Sequence, residues 1–467
     1  MKKKKVVIIG GGISGLSAAW ELQHSGRGQF DLTVLEAGSR WGGKVLTLTM
    51  PAPNGGQFII DAGPESFVTR KPEAWQLASE LGLQDEVINP GGEASGTYVL
   101  TNGKPIALPL SPIKFITSPL LTPRGKLRML AEPFIPPKKD DGDESLADFV
   151  TRRLGREALE KFIGPVLGGI YNTNPETQSI LVTSPIMREL EAHGSLVKGS
   201  FVRARQRKQE AKGGNPPPYR FIGFRTGAER LVDALVTKLD AEMRLNTAVS
   251  GITQLDNQRV VIETVQGEQI LADAAIVATP ANVAAKLLQK AAPEAAAELA
   301  AIRHANIGTI SLAYPKGALA HTEPMRGLMI PRREKRRIDA VTWTSGKIPD
   351  RAPEGYTLIR VFFGGGYPDM ATMPENDLVK IVKEELRELL NVTAEPIGWR
   401  AASWPNAYPQ ADVGHLARVA RIESLLPGGV FVTGSSYRGL AVPDCIKQSR
   451  ATAVTAAKTL LKEHAPA

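Results

Sequence analysis

The sequence predicts an α/β protein whose parallel sheet is assembled from distant parts of the chain, with a strand-rich and a helix-rich region set between them. Three observations predict it. Residues 6–43, VVIIGGGISGLSAAWELQHSGRGQFDLTVLEAGSRWGG, read as strand, glycine loop, helix and second strand in one register. Residues 246–280 read as a strand, a hairpin rich in β-branched residues, and a last strand ending at Thr279 and Pro280. Residues 428–461 read as a strand reaching Gly434, a loop, and a closing helix from about Asp444.

In the first unit, residues 6–9 are a continuous apolar run, as a strand buried on both faces requires. Gly10, Gly12 and Gly15 follow in G-x-G-x-x-G spacing and lead into a helix ending at Gly26. Gly10 permits the tight turn, Gly12 lets a pyrophosphate approach the backbone, and Gly15 lets helix and strand pack closely. The second strand ends at Glu36, placed to accept hydrogen bonds from the ribose hydroxyls of an adenosine. The tail GSRWGGK then adds a second glycine pair and a base, an arrangement similar to flavoproteins of the glutathione-reductase type; an ordinary turn between strands is the alternative. No further G-x-G-x-x-G follows a strand, so a second nucleotide domain for a nicotinamide is not apparent.

Between these pieces the character changes. Residues 112–196 are Pro-punctuated and mostly helical, with Ser145 a candidate N-cap. Residues 197–219 read as a basic, exposed Gly/Pro-rich loop. Residues 303–400 carry the runs GTISLAYP, AVTWTS and TLIRVFFGGG, suited to a large mixed sheet. There are no internal repeats.

Composition bounds the function. At 467 residues, two or three domains are expected, and 42% hydrophobic with 22% charged residues is that of a soluble globular protein. The single Cys445 excludes an internal disulfide, and the six histidines have no metal-ligand spacing, so no metal is expected. MKKKK before an apolar run imitates a secretory signal, but its glycines and the following Glu21 favour a buried strand and a cytoplasmic protein. A net charge of +9 suits a polyanionic small substrate or peripheral contact with an anionic membrane; no module that reads nucleic acid is present. No Ser/His/Asp or paired-carboxylate set stands out, so no catalytic side chain is assigned.

Taken in order, GGGISGL, EAGSRWGGK, DAGPESFVTRK, GGIY, FRTGAERLVDAL, VATPANVAAKLL, SWPNAYPQADVGH and GSSYRGLAVPDCI resemble the FAD-dependent porphyrinogen oxidases, over essentially the whole chain. The first two are shared with amine oxidases and phytoene desaturases. The resemblance implies a Rossmann-like, discontinuous FAD domain of glutathione-reductase type (1–69, 220–300, 405–467). It further implies a mixed-sheet substrate domain (70–111, 197–219, 301–404) and an inserted helical domain (112–196). The implied reaction is six-electron oxidation of a porphyrinogen in haem biosynthesis, with non-covalent FAD and dioxygen yielding peroxide. Contact with the next enzyme of that pathway is a further implication.

Residue by residue, the resemblance places Gly10, Gly11, Gly12, Ser14, Gly15, Glu36, Ala37, Gly42, Gly43 and Lys44 along the adenosine and pyrophosphate. It places Ala62, Gly63, Pro64 and Glu65 in a loop approaching the flavin, Val249 beside adenine, Trp404 near the isoalloxazine, and Gly434, Ala441, Val442 and Pro443 in the C-terminal flavin loop. Arg70 and Lys71 would meet substrate propionates, Gly169 would lie against the macrocycle, and residues 307–310 and 360–363 would form pocket walls. Plant and animal members carry an arginine just ahead of a YV strand, where this chain has Gly96 and Thr97. That departure favours the Gram-positive type, hence coproporphyrinogen III with four propionates over protoporphyrinogen IX with two. The competing readings are a flavin amine oxidase, in which Cys445 would tether the flavin, a carotenoid desaturase, and a non-catalytic flavin or tetrapyrrole carrier.

Overall fold

Five parallel strands form one sheet, in the order Glu242–Arg244, Phe30–Leu35, Lys4–Ile9, Ala274–Val277, Val430–Val432. The computed structural model describes residues 3–26, 28–91, 96–109, 112–165, 167, 174–210, 218–255, 259–322 and 325–462. The central strand shows why its sequence does not alternate in polarity. Val6 and Ile8 face one apolar cluster, shared with the helices Ile13–Ser25 and Val442–Lys462. Val7 and Ile9 face a second, closed by the antiparallel strands Val249–Gln254, Val260–Thr264 and Gln269–Ala272. Covered on both faces, the strand is apolar at every position, as parallel sheets require.

A second sheet of seven strands runs Gly398–Pro409, His304–Pro315, Tyr356–Phe363, Ile338–Thr342, Gly327–Met329, Thr97–Thr101, Lys104–Ala107. It is mixed, because Gly327–Met329 pairs in parallel with Thr97–Thr101 and the other neighbours are antiparallel. The helix Glu375–Leu390 buries Leu378, Val382 and Leu386 against it. A hairpin, Thr47–Pro51 with Gln57–Asp61, packs Phe58 and Ile60 on Ala313 and Leu358 of the mixed sheet.

The helical region begins with Pro112–Thr117 and Pro123–Leu130 and continues through Leu146–Leu154 to Pro185–Ala192. Ser145 caps Leu146–Leu154 by accepting the Asp148 N–H at 2.9 Å. Two expectations need correction here. Residues 196–210 are a helix, Leu196–Glu210, and not a loop. Its sequence hides this because little of it alternates between apolar and polar; Ser195 Oγ accepts the Lys198 N–H, and Glu132 accepts the Leu196 N–H. That helix packs on the helical region, since a Cβ on Gly199 would stand 2.3 Å from Leu190 O, and it takes no part in the mixed sheet.

The second correction concerns residues 70–111. The helix Glu73–Glu80 packs Ala74, Trp75 and Leu77 into the first apolar cluster, beside the five-stranded sheet, so among the described residues of this stretch only 97–107 join the mixed sheet. At the other boundary, the strand Gly398–Pro409 carries the mixed sheet five residues past 404.

Candidate active site

The site grows from the carboxyl end of the strand Lys4–Ile9, where the chain turns through the glycine loop into the helix Ile13–Ser25. Gly10 has φ +112°, a left-handed value that favours glycine. A Cβ on Gly15 would stand 1.9 Å from Gly10 O, so helix and strand touch only because both residues lack side chains. Gly12, the helix N-cap, differs: a Cβ there would meet nothing nearer than 4.0 Å. The loop is therefore open at one point, at a helix N-terminus with no acid in its first turn. That is the space and polarity a pyrophosphate needs.

Glu36 follows directly on the strand Phe30–Leu35. Its two carboxylate oxygens accept the N–H of Gly11 at 2.7 Å and of Gly38 at 2.8 Å, which fixes the carboxylate and leaves lone pairs for ribose hydroxyls. Ala37 beside it is exposed. The Thr247 N–H donates to Glu36 O, which brings Val249, half-buried against the second cluster, alongside. The second glycine pair lies directly on the first: the Gly42 N–H donates to Gly11 O at 2.8 Å, and a Cβ on Gly43 would come within 3.3 Å of Gly12 Cα. Arg40 holds this turn by donating to the carbonyls of Trp41 (2.9 Å) and Gly43. Sequence reasoning passed over Arg40, although its place two residues before Gly42 is a usable signal.

The next wall is residues 62–65. A Cβ on Gly63 would stand 1.8 Å from Lys44 O, so this loop rests on the glycine turn. Ala62 O accepts from Thr309 Oγ1 (3.0 Å) and Arg360 Nη2 (2.9 Å), and Gly63 O accepts from Arg360 Nη2 (2.7 Å). The residues expected as pocket walls thus brace the loop: Thr309 and Arg360 are buried and point into it. Glu65 binds Lys347 Nζ at 2.5 Å. Burial pushes the Glu65 carboxyl up, but Lys347 and Arg360 outweigh it and hold it at about 2.

The C-terminal segment completes the enclosure. A Cβ on Gly434, φ +126°, would lie 3.8 Å from Ser14 Oγ, so the two chain ends meet at the phosphate loop. Val442 and Pro443 are buried at the start of the last helix, with Ala441 exposed just before it. Cys445 is buried, and burial pushes its thiol up to about 11. Burial lowers the Lys44 ammonium, which stands near Cys445 and His304. Trp404 is half-buried on the edge strand, paired with Ile307. These residues fit FAD: a fixed ribose acid, a cradle open at Gly12, and two further walls converging on it.

The residues expected to meet substrate divide. Arg70 is exposed, whereas Lys71 is committed to Asp444 at 2.6 Å and ties its loop to the last helix. Gly169 lies outside the described residues. Gly96, where the arginine of plant and animal members is missing, accepts at its carbonyl from the N–H of Arg326, 2.7 Å away, whose side chain is exposed.

Comparison with known proteins agrees with this geometry. Residues 13–457 match the flavin containing amine oxidoreductase family. The chain is similar to the coproporphyrinogen III oxidase of Bacillus subtilis, 32% identical over 98% of this chain and 99% of that one. It is also similar to protoporphyrinogen oxidase 1, chloroplastic, of Arabidopsis thaliana, 30% identical over 96% and 87%. A crystal structure from Exiguobacterium sp. 255-15, assigned as a protoporphyrinogen oxidase, superposes with a TM-score of 0.84 at 26% identity over 98% of this chain and 99% of that one.

Proposed function

The chain belongs to the flavin-containing amine oxidoreductases, and from that premise we propose that it oxidises a porphyrinogen to the porphyrin in haem biosynthesis, with FAD as cofactor and dioxygen as acceptor. Coproporphyrinogen III is the favoured substrate, because the relatives of that name from Bacillus and Staphylococcus match end to end at 32% identity. The observation that carries the reading is the glycine cradle open at Gly12 and closed by Gly434 from the far end of the chain.

When bound, FAD would supply a two-electron acceptor that dioxygen reoxidises, each dioxygen being reduced to peroxide, and three such turns would remove the six electrons and six hydrogens. The chain's own residues bind, orient and exclude water. Glu36 would take the ribose, the amides about Gly12 and Gly43 would take the pyrophosphate with Lys44 nearby, and Val249 would stand at the adenine end. Residues 62–65, Trp404 and residues 441–443 would hold the isoalloxazine, with Gly434 beside Ser14 closing the phosphate loop. Arg70 and Arg326 are two exposed cations that would meet propionates. The test is anaerobic mixing of the purified yellow protein with each porphyrinogen. Coproporphyrinogen III should bleach the flavin, and its porphyrin fluorescence should rise faster than that from protoporphyrinogen IX. An unbleached flavin refutes the oxidase, and the reverse rate order refutes the choice of substrate.

The protein also reads as working at a membrane surface from the cytoplasmic side. Among the described residues no helix is long and apolar enough to cross a membrane. Ile113, Ile116, Leu127, Leu130, Phe134 and Phe201, however, are each at least 63% exposed. Lys126 Nζ donates to Ile116 O, and Glu132 accepts the Leu196 N–H, so the helices bearing these side chains are tied together. Arg124, Lys126 and Arg128 share the stretch with Leu127 and Leu130, the composition of an interfacial surface. Vesicles of phosphatidylglycerol should carry the protein in flotation, and Phe134→Asp should release it. Absence of flotation would leave a protein partner, such as the next pathway enzyme, as the occupant.

A further inference from the structure

Five charged side chains, Glu65 and four beneath its loop, come together at residues 62–65 from three separate parts of the chain. Asp61 ends the strand Gln57–Asp61, Lys347 ends the short helix Thr344–Lys347, and Arg360 lies within Tyr356–Phe363. Asp61 and Arg351 form a closed pair. Arg351 Nη2 donates to Asp61 Oδ2 at 2.8 Å, while Asp61 Oδ1 accepts from Thr47 Oγ1 (2.7 Å) and the Ala228 N–H (2.8 Å). Both side chains are at most 2% exposed, and their charges cancel.

The remaining three do not cancel. Glu65 faces Lys347 at 2.5 Å through Oε1 and Arg360 at 3.5 Å through Oε2, so two cations share one carboxylate. Arg360 has a side-chain exposure of only 5%, and its guanidinium spends Nη2 on the neutral carbonyls of Ala62 and Gly63. Its Nε and Glu65 Oε2 are buried without a hydrogen-bond partner. A surplus buried cation is costly unless negative charge is available nearby. The loop it supports is the one that rests on Lys44 O and faces the cofactor cradle.

We propose that Arg360 and Lys347, in excess over Glu65, form an electropositive seat beneath residues 62–65 that favours the reduced, negatively charged flavin and so raises its reduction potential. This rests on the reading of those residues as the flavin-facing loop. Charge placed near a flavin tunes its electronics through space, and a low-dielectric setting strengthens the effect. Arg360 is a positioning residue by its grip on two carbonyls, and its charge adds an effect that a neutral brace would lack.

The test is the midpoint potential of each purified holoprotein, titrated against a reference dye, with flavin-to-protein stoichiometry measured beforehand. Arg360→Met should shift the ratio of oxidised to reduced flavin at fixed potential about tenfold toward oxidised, which for a two-electron couple is ~30 mV downward. Lys347→Gln should shift it the same way by less, because this side chain is 32% exposed. Glu65→Gln should shift it upward. Arg360→Lys keeps the charge and loses the fork, so its potential should stay close to that of the unmodified protein. Structural damage would move Glu65→Gln and the two cation variants in one direction, and that result overturns the inference while a bound flavin leaves the functional reading standing. If Arg360→Met does not fold, the opposed shifts of Lys347→Gln and Glu65→Gln decide. A chain that binds no flavin in any form overturns both.

Discussion

The two ends of the site are built by opposite means. At the phosphate end the working surface is backbone: Gly10, Gly12, Gly15, Gly42 and Gly43 succeed by having no side chains, and the nearest contacts are carbonyls and Cα atoms. Around residues 62–65 the working surface is charge: Asp61, Glu65, Arg351 and Arg360 are each at most 10% exposed, and Lys347 reaches in from the more open side. A backbone cradle binds a group whose charge stays constant, so it needs shape and fixed dipoles. A corner of buried charges suits a group whose charge changes during reaction, because fixed charges respond to that change without reorganising.

The sharpest way to break this contrast is Asp61→Ala, which leaves Arg351 buried and unpaired. It should cost about 3–5 kcal/mol in urea unfolding, and Asp61→Ala combined with Arg351→Met should recover part of that. A loss below about 1 kcal/mol would mean water reaches the corner.

Acid titration comes next. The Glu65 carboxyl is held at about 2, below its ordinary value of 4.5. Its contribution is therefore full above about pH 4.5 and fades as the pH falls toward 2, for a total of about 3 kcal/mol. Stability measured between those pH values should fall less steeply in Glu65→Gln than in the unmodified protein. Equal slopes would show that Glu65 is not held by the two cations.

At the backbone end, the prediction separates two glycines of one loop. Gly15→Ala should destabilise the fold by about 1–3 kcal/mol, because its Cβ collides with Gly10 O. Gly12→Ala meets no such atom and should leave unfolding unchanged, yet lower FAD affinity about tenfold by filling the cradle, as read by flavin absorbance after gel filtration. The smallest effect is expected far from either end. Arg156 and Glu160 form an exposed i,i+4 pair, so Glu160→Gln should change stability by less than about 0.5 kcal/mol.

The same contrast explains what could be read from the residues. The strand, loop, helix and Glu36 were legible because they lie within one stretch of chain, where spacing and geometry are the same information. The Ser145 cap was legible for that reason too. The helix Leu196–Glu210 was not: its stability comes from Glu132 and from packing on Leu190, and its own sequence is basic with little pattern. Lys71 reads as a substrate cation until the fold brings Asp444, 373 positions away, within 2.6 Å.

By itself, then, the sequence determined the parallel sheet, the strand runs of the mixed sheet and the glycine cradle, since each depends on local turns, periodicity and backbone room, while FAD followed from the family its motifs resemble. Only the tertiary structure decided which charges are buried together. Asp61 and Arg351 are 290 positions apart, and Glu65 and Lys347 are 282 apart. An arginine or lysine in a sequence reads as solvated surface, because burying it is favourable only when a partner is already in place. That partner arrives through chain folding, which no local pattern records.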